Sequence, residues 1–334
     1  MEFRTVVPLP AGETVVSPSH RLLLMGSCFS DHIGRLLQAH KFRVECNPWG
    51  TLYNPLSLLA SLEEAASGKV YTVSDLYAWQ GRWHSPMHHG SFSAEQPEEA
   101  VRHINRRLAD VRALLPCLDY AFFTLGSAYY YKEKHSGRVV GNCHKRPERD
   151  FERCRMESPE AVREVLVRLV GLLRRFNPRV KVVFSVSPIR HVRDGFHANQ
   201  VSKGLLLAAL ADDDDDPRLV DHRSVFYFPA YEIVMDELRD YRFYADDLVH
   251  PSTQAVAYLW ECFARTYFDA DTRAFVADWE AVAKGLGHRP SRPGSDEHRA
   301  FVRQILLKIE HLTAKYPFLD AENELTLCHT LLKS

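Results

Sequence analysis

The stretch RLLLMGSCFS, residues 21–30, decides the fold. Its apolar residues run without alternation, which is the pattern of a strand buried on both faces, and such strands belong to parallel sheets covered on both sides. The run stops on Gly26-Ser27 and passes into SDHIGRLLQAH (30–40), where Ile33, Leu36 and Leu37 share one helical face and Ser30 or Asp31 is available as a cap. FRVECNP (42–48) then alternates and closes on Pro48, and NPLSLLASLEEAASG (54–68) reads as a second helix closed by Gly68. Strand, helix, strand, helix in quick succession is the rhythm of a parallel sheet with crossover helices.

Residues 71–95, with Trp79, Trp83, His84, His88 and His89, break that rhythm and read as a long inserted loop. A helix is expected over 97–115. DYAFFTLGS (119–127) reads as the third strand, again ending on Gly-Ser, and 129–145 as a hairpin turning at Ser136-Gly137. SPEAVREVLVRLVGLLRRF (158–176) predicts a helix capped by Ser158. VKVVFSVSP (180–188) comes next as the fourth strand, then a helix over 199–210, a solvated run of aspartates at 212–216, and a fifth strand or extended segment over 225–234. A helix covers 252–268. The rest is helical and charged, with a Pro/Gly/Ser break at 287–295. There Phe301, Ile305, Leu306, Ile309 and Leu312 recur at helical spacing, which favours packing onto the core over a partner surface. The expected organisation is one α/β domain over 1–270 with the 71–95 insert, and a helical extension over 271–334.

Across 334 residues, 42 Lys+Arg nearly cancel 43 Asp+Glu, so there is no electrostatic case for nucleic acid or an anionic membrane surface. No apolar run is long enough to span a bilayer, and the first residues lack the pattern of a signal peptide. Seven cysteines without paired spacing read as reduced thiols, so a cytoplasmic location is expected; a trimmed secreted chain would read the same. Oligomeric state is not legible.

Three segments end a strand or lie just beyond one: GSCFS (26–30), LGSAY (125–129) and ADDLVHPS (245–252). Ligands of open parallel sheets bind outside the carboxyl ends of the strands, so these segments can meet. Asp247 and His250 are three residues apart and share one face of a helical turn. An Asp so placed can hold one imidazole nitrogen while the other takes a proton from Ser27. Cys28, next to Ser27, reads as inert packing rather than as the nucleophile. His84, His88 and His89, with His135 and His144, invite a metal reading. Seventeen histidines make chance clusters common, so no metal and no cofactor is expected. Arg190, His191 and Lys203 follow the fourth strand, where an anion-binding role and a solvated loop are equally good readings. Tyr129, Tyr130, Tyr131, Trp49 and Trp83 could stack on a sugar or fill the core.

The order Ser, Asp, His, with the last two in a D-x-x-H turn, resembles the SGNH (GDSL-like) hydrolase superfamily. Within it, GSCFS, NPWGTLYNP (47–55), TLGSAYYY (124–131), GNCHK (141–145), SPIRHVRDG (187–195), NQVSK (199–203) and the segment 227–252 ending in DDLVHPS look like the GSCFA family, over roughly residues 20–270. The resemblance implies a flavodoxin-like three-layer αβα fold with about five parallel strands. It also implies Ser27 as nucleophile, His250 as general base and Asp247 as orienting carboxylate. The superfamily's oxyanion hole implies the Ser27 N–H, a glycine N–H after the second strand, here Gly50, and an asparagine side chain after the third. The usual G-x-N-D reads here as Gly126-Ser127-Ala128-Tyr129, so that asparagine is missing; Asn142 is the expected replacement and Asn54 the second choice. Gly126, Arg190 and Lys203 complete the expected substrate-binding set. The implied activity is a serine esterase or acyl hydrolase acting on a small or carbohydrate-linked ester. An O-acyltransferase on the same triad and a non-catalytic carbohydrate- or ligand-binding module are the alternatives.

Overall fold

The computed structural model describes residues 4–10, 12, 14–141, 150–211 and 219–333. In chain order, β1 (Arg21–Gly26), α1 (Cys28–Ala39), β2 (Arg43–Cys46) and α2 (Pro55–Ser67) come first. A hairpin of β3 (Tyr77–Trp79) and β4 (Arg82–His84) precedes α3 (Pro97–Leu114). β5 (Tyr120–Leu125) leads into β6 (Tyr129–Glu133), β7 (Val139–Val140) and β8 (Phe151–Arg155), which form a separate antiparallel sheet in the order β7-β6-β8. Then come α4 (Pro159–Phe176), β9 (Lys181–Val186), α5 (Phe196–Ala209) and β10 (Val225–Tyr227). α6 (Ala230–Glu232) continues into a π-helical turn, Ile233–Glu237, and α7 (Thr253–Tyr267), α8 (Ala270–Leu286), α9 (Asp296–Lys315) and α10 (Glu322–Lys333) end the chain.

The main sheet runs β10-β9-β5-β1-β2 with every pairing parallel. Counted by its own five strands, that is the doubly wound order 2-1-3-4-5. The chain leaves β1 toward β2, then returns to the other side of β1 to lay down β5. The crevice at this reversal is where such sheets bind ligands.

Both faces of the sheet are covered, which explains the unalternating apolar run of β1. Leu23 and Met25 pack with Leu58, Ile104, Leu166 and Leu206 from α2–α5. Leu22 and Leu24 pack with Phe29, Ile33 and Leu37 of α1 and with Leu259 and Phe263 of α7. The C-terminal helices share this second core through Phe275, Trp279, Ile305, Ile309 and Leu312; Phe301 remains 42% exposed. Trp279 Nε1 donates to Ala39 O at 2.9 Å and Lys41 pairs with Glu324 at 2.8 Å, so this extension grips the far end of α1.

The caps fall where small polar residues and glycine predict them. Ser158 and Ser252 accept from Ala161 N and Ala255 N, and Gly68 adopts φ +72 at the end of α2. Several expectations change. α1 starts at Cys28, so its cap is Ser27; Ser30 instead turns its hydroxyl onto Met25 O. The 71–95 insert is built around the β3–β4 hairpin rather than being an open loop. The 129–145 hairpin gains β8 along its other edge. The fifth strand stops at Tyr227; Pro229 cannot pair onward, and 230–237 is helical. The run 212–216 lies outside the described residues. Among the described residues no helix is long and apolar enough to cross a membrane.

Candidate active site

Loops at the carboxyl ends of β1, β2 and β5 are tied to one another by backbone hydrogen bonds. Ser27 N donates to Thr124 O (3.1 Å), Leu52 N to Gly26 O (3.0 Å), and Gly126 N and Ser127 N both to Tyr53 O (2.7 and 2.8 Å). Asn47 joins the same lattice: its Oδ1 accepts from Gly26 N at 2.8 Å and its Nδ2 donates to Asp31 Oδ1 at 2.7 Å. Gly26 has φ +139, and a Cβ there would lie 2.2 Å from Thr124 O, so the close approach of β1 to β5 requires glycine.

The loop before α7 brings in the acid–base pair. Ala245 N donates to His250 O, and Leu248 takes φ +58 to close the turn. Asp247 Oδ1 accepts the N–H groups of Val249 and His250, both at 2.9 Å, and Oδ2 meets His250 Nδ1 at 2.6 Å. The two backbone N–H groups, followed by the imidazole, hold the Asp247 carboxyl down to about 2. A carboxylate that stays ionised puts the ring proton on Nδ1, which leaves Nε2 as the basic nitrogen. The His250 side chain is 41% exposed. Its charge acts on His32, one turn beyond Cys28 on α1, and on His191, after β9. His191 stands edge-on to Tyr53, 5.0 Å between ring centres, and burial first, then Lys203 and His250, hold it down to about 4. Tyr53 in turn places its hydroxyl beside the Cys28 thiol.

The other residues expected in the site have varied fates. Ser27 is 0% exposed and its Oγ accepts from Phe29 N at 3.2 Å, so the hydroxyl caps α1. The Ser27 N–H is spent on Thr124 O. The Gly50 N–H, expected to face the oxyanion, instead closes a turn onto Asn47 O at 2.7 Å, and a Cβ there would meet the His89 side chain. Gly126 gives its N–H to Tyr53 O and its carbonyl to Lys203, so it is a structural corner. Lys203 is 1% exposed, and its ammonium bridges Gly126 O (2.7 Å) and Ser187 O (2.6 Å) rather than facing the open crevice. Asn54 caps α2, with Oδ1 accepting from Ser57 N and Nδ2 donating to Ser57 Oγ, and its edge still lines the crevice. Arg190 lies over the Tyr244 ring, 5.2 Å from its centre, and donates to the Tyr244 hydroxyl, which fastens the His250 loop to the end of β9. Asn142 lies outside the described residues.

Beside this cluster opens a cleft of about 200 Å³, lined by Tyr53, Ser127, Tyr129, Arg153 and His191 among others. Arg153 stacks on Tyr129, 3.7 Å from the ring centre, and pairs with Asp194. Tyr53 is a site residue that sequence reasoning missed, although it stands inside the NPWGTLYNP motif. The insert histidines go separate ways: His84 bonds Ser93 and Trp79 O, His88 bonds Ser85 in the core, and His89 caps a short turn. Among the described residues no three or more His, Cys, Asp or Glu gather to hold a metal ion.

No curated protein is significantly similar to this chain. Among solved structures, a carbohydrate esterase family 3 from Talaromyces cellulolyticus aligns over 78% of this chain and 99% of its own at 10% identity. Its TM-score of 0.33 is too low for that likeness to bear on fold or activity. Residues 279–334 match the C-terminal domain of GSCFA domain proteins. Residues 21–263, well over half of the sequence, match the GSCFA family, and the chain belongs to that family.

Proposed function

We propose that this chain is an acyl hydrolase that cleaves an ester with the His250–Asp247 pair as its base. One observation carries the reading. At the switch-point crevice, a carboxylate held by two backbone N–H groups grips imidazole Nδ1 at 2.6 Å and leaves Nε2 basic. This is how a general base is oriented for acyl transfer. A nucleophile on the β1–α1 turn attacks the acyl carbonyl as His250 takes its proton. His250 then protonates the departing alcohol, and in the second half it activates the water that releases the acid. The cleft walled by Tyr53 and Tyr129 suits the apolar face of a sugar or another small alcohol on the leaving side. An acceptor alcohol in place of water would make the same machinery an O-acyltransferase.

Turnover of p-nitrophenyl acetate and butyrate tests this. His250→Gln is expected to lower kcat by ~10³-fold or more, and Asp247→Asn by ~10²–10⁴-fold, with KM little changed. Wild-type turnover in His250→Gln would refute the proposal and leave the crevice a binding role.

A further inference from the structure

We propose that Cys28, not Ser27, is the residue that carries the acyl group. The inference rests on the reading of His250 as the base of an acyl transfer, and it names the partner of that base.

Three independent features separate the two neighbours. The first is what each side chain already does. Ser27 is fully buried and its Oγ accepts from Phe29 N as the cap of α1. Cys28 is half-buried, and its thiol lies beside the Tyr53 hydroxyl. The second is backbone. A nucleophile at a helix start uses N–H groups of the helix terminus to hold the oxyanion. The Ser27 N–H is bound to Thr124 O, whereas the Cys28 N–H meets no carbonyl among the described residues and faces its own sulfur. The third is the position of the base. Cys28 and His32 are one turn apart on the same face of α1, and His32 feels the charge of His250. On the other side of the thiol, Tyr53 touches His191, which feels the same charge. The charge of His250 thus reaches two residues near Cys28.

Burial pushes the Cys28 thiol up, with the Tyr53 hydroxyl opposing it and Asp31 adding to it. The resting group is a thiol, and its proton must leave during attack. In the proposed sequence Sγ bonds to the carbonyl carbon while His250 Nε2 takes the thiol proton. The C–O bond to the alcohol breaks as His250 returns that proton to the leaving oxygen, and a thioester remains on Cys28. Water then adds to the thioester carbonyl, losing a proton to His250. The C–S bond breaks, the acid departs, and the proton returns to Cys28.

The test compares Cys28→Ala, Cys28→Ser, Ser27→Ala and Ser27→Gly in the full chain, with thermal melts to confirm folding. Glycine is a tolerated helix cap that lacks a hydroxyl, so Ser27→Gly removes any serine nucleophile with little loss of structure. With p-nitrophenyl acetate, Cys28→Ala should lose turnover by ~10³-fold or more, while Ser27→Gly stays within ~10-fold of wild type. Mass spectrometry of the acid-quenched wild type should find an acetyl group on Cys28 that neutral hydroxylamine removes, as it does a thioester and not a serine ester. Iodoacetamide should inactivate the wild type and label Cys28, more slowly in His250→Gln. Wild-type turnover in Cys28→Ala, with activity lost in Ser27→Gly and His250→Gln, would overturn this inference and leave the acyl-hydrolase reading standing. Turnover that ignores His250, or a wild type that forms no acyl adduct and turns over neither ester, would overturn both.

Discussion

Two strands flanking the switch point end on the same dipeptide, Gly26-Ser27 after β1 and Gly126-Ser127 after β5, and the two turns use it alike only in part. In each, the serine Oγ accepts the N–H two residues on, Phe29 at 3.2 Å and Tyr129 at 3.0 Å. Both hydroxyls satisfy backbone at the abrupt end of a buried strand. The difference lies in the next residue. After Ser27 a twelve-residue helix begins at once, and its first side chain is a thiol. After Ser127 comes Ala128, buried, and then an antiparallel strand. A hydroxyl at a strand end is thus a backbone partner in both turns, whatever the residue after it.

The glycines give the sharpest way to break the parallel. Gly26→Ala forces a Cβ to 2.2 Å from Thr124 O at φ +139, so we expect a loss of about 4 kcal/mol or a failure to fold, read from urea midpoints. Gly126→Ala should cost far less. Its Cβ would stand 3.1–3.3 Å from the His191 and Tyr53 side chains, which can shift. The ring covering Gly126 supplies the next effect. The folded value of His191, about 4, lies below its ordinary 6.5, so between those values the unfolded chain binds more protons. Stability from this group is present above about pH 6.5 and is lost as pH falls toward 4. The loss approaches about 3 kcal/mol, and it should flatten in His191→Gln when urea midpoints are followed across that window. Ser27→Ala should cost about 1 kcal/mol through the lost cap. Ser127→Ala, which removes the partner of one turn N–H and a longer contact with Ser202 Oγ but no helix cap, should cost less, and Gly126→Ala should fall in the same small range. A Ser127→Ala cost as large as that of Ser27→Ala would erase the distinction between the turns.

The parts of the fold legible in the sequence are those whose signals are local. The double-sided burial of β1, the caps at Ser158 and Ser252, the glycine stop at Gly68 and the Asp247–His250 turn are all encoded within a few residues, and pattern alone finds them. The pairing of β6 with β8 joins segments far apart, and nothing local in FERCR announces it. The expected fifth strand overruns the end of β10 because aromatic and β-branched residues continue past Pro229, where tertiary packing selects helix instead. The choice between Ser27 and Cys28 turns on where α1 starts. The apolar spacing of Ile33, Leu36 and Leu37 fixes the helix face but not its first residue. Lys203 is harder still to place from sequence, because lysine is rarely buried and its two acceptors come from loops 77 and 16 residues away.

Burial pulls Lys203 down to about 7, so near neutral pH the group exchanges its proton. A neutral amine still carries two hydrogens, and Nζ bonds two carbonyls. The clasp between the ends of β5 and β9 can thus keep its shape whether or not it is cationic. The electric field under the crevice floor then varies with pH while the floor itself stays put.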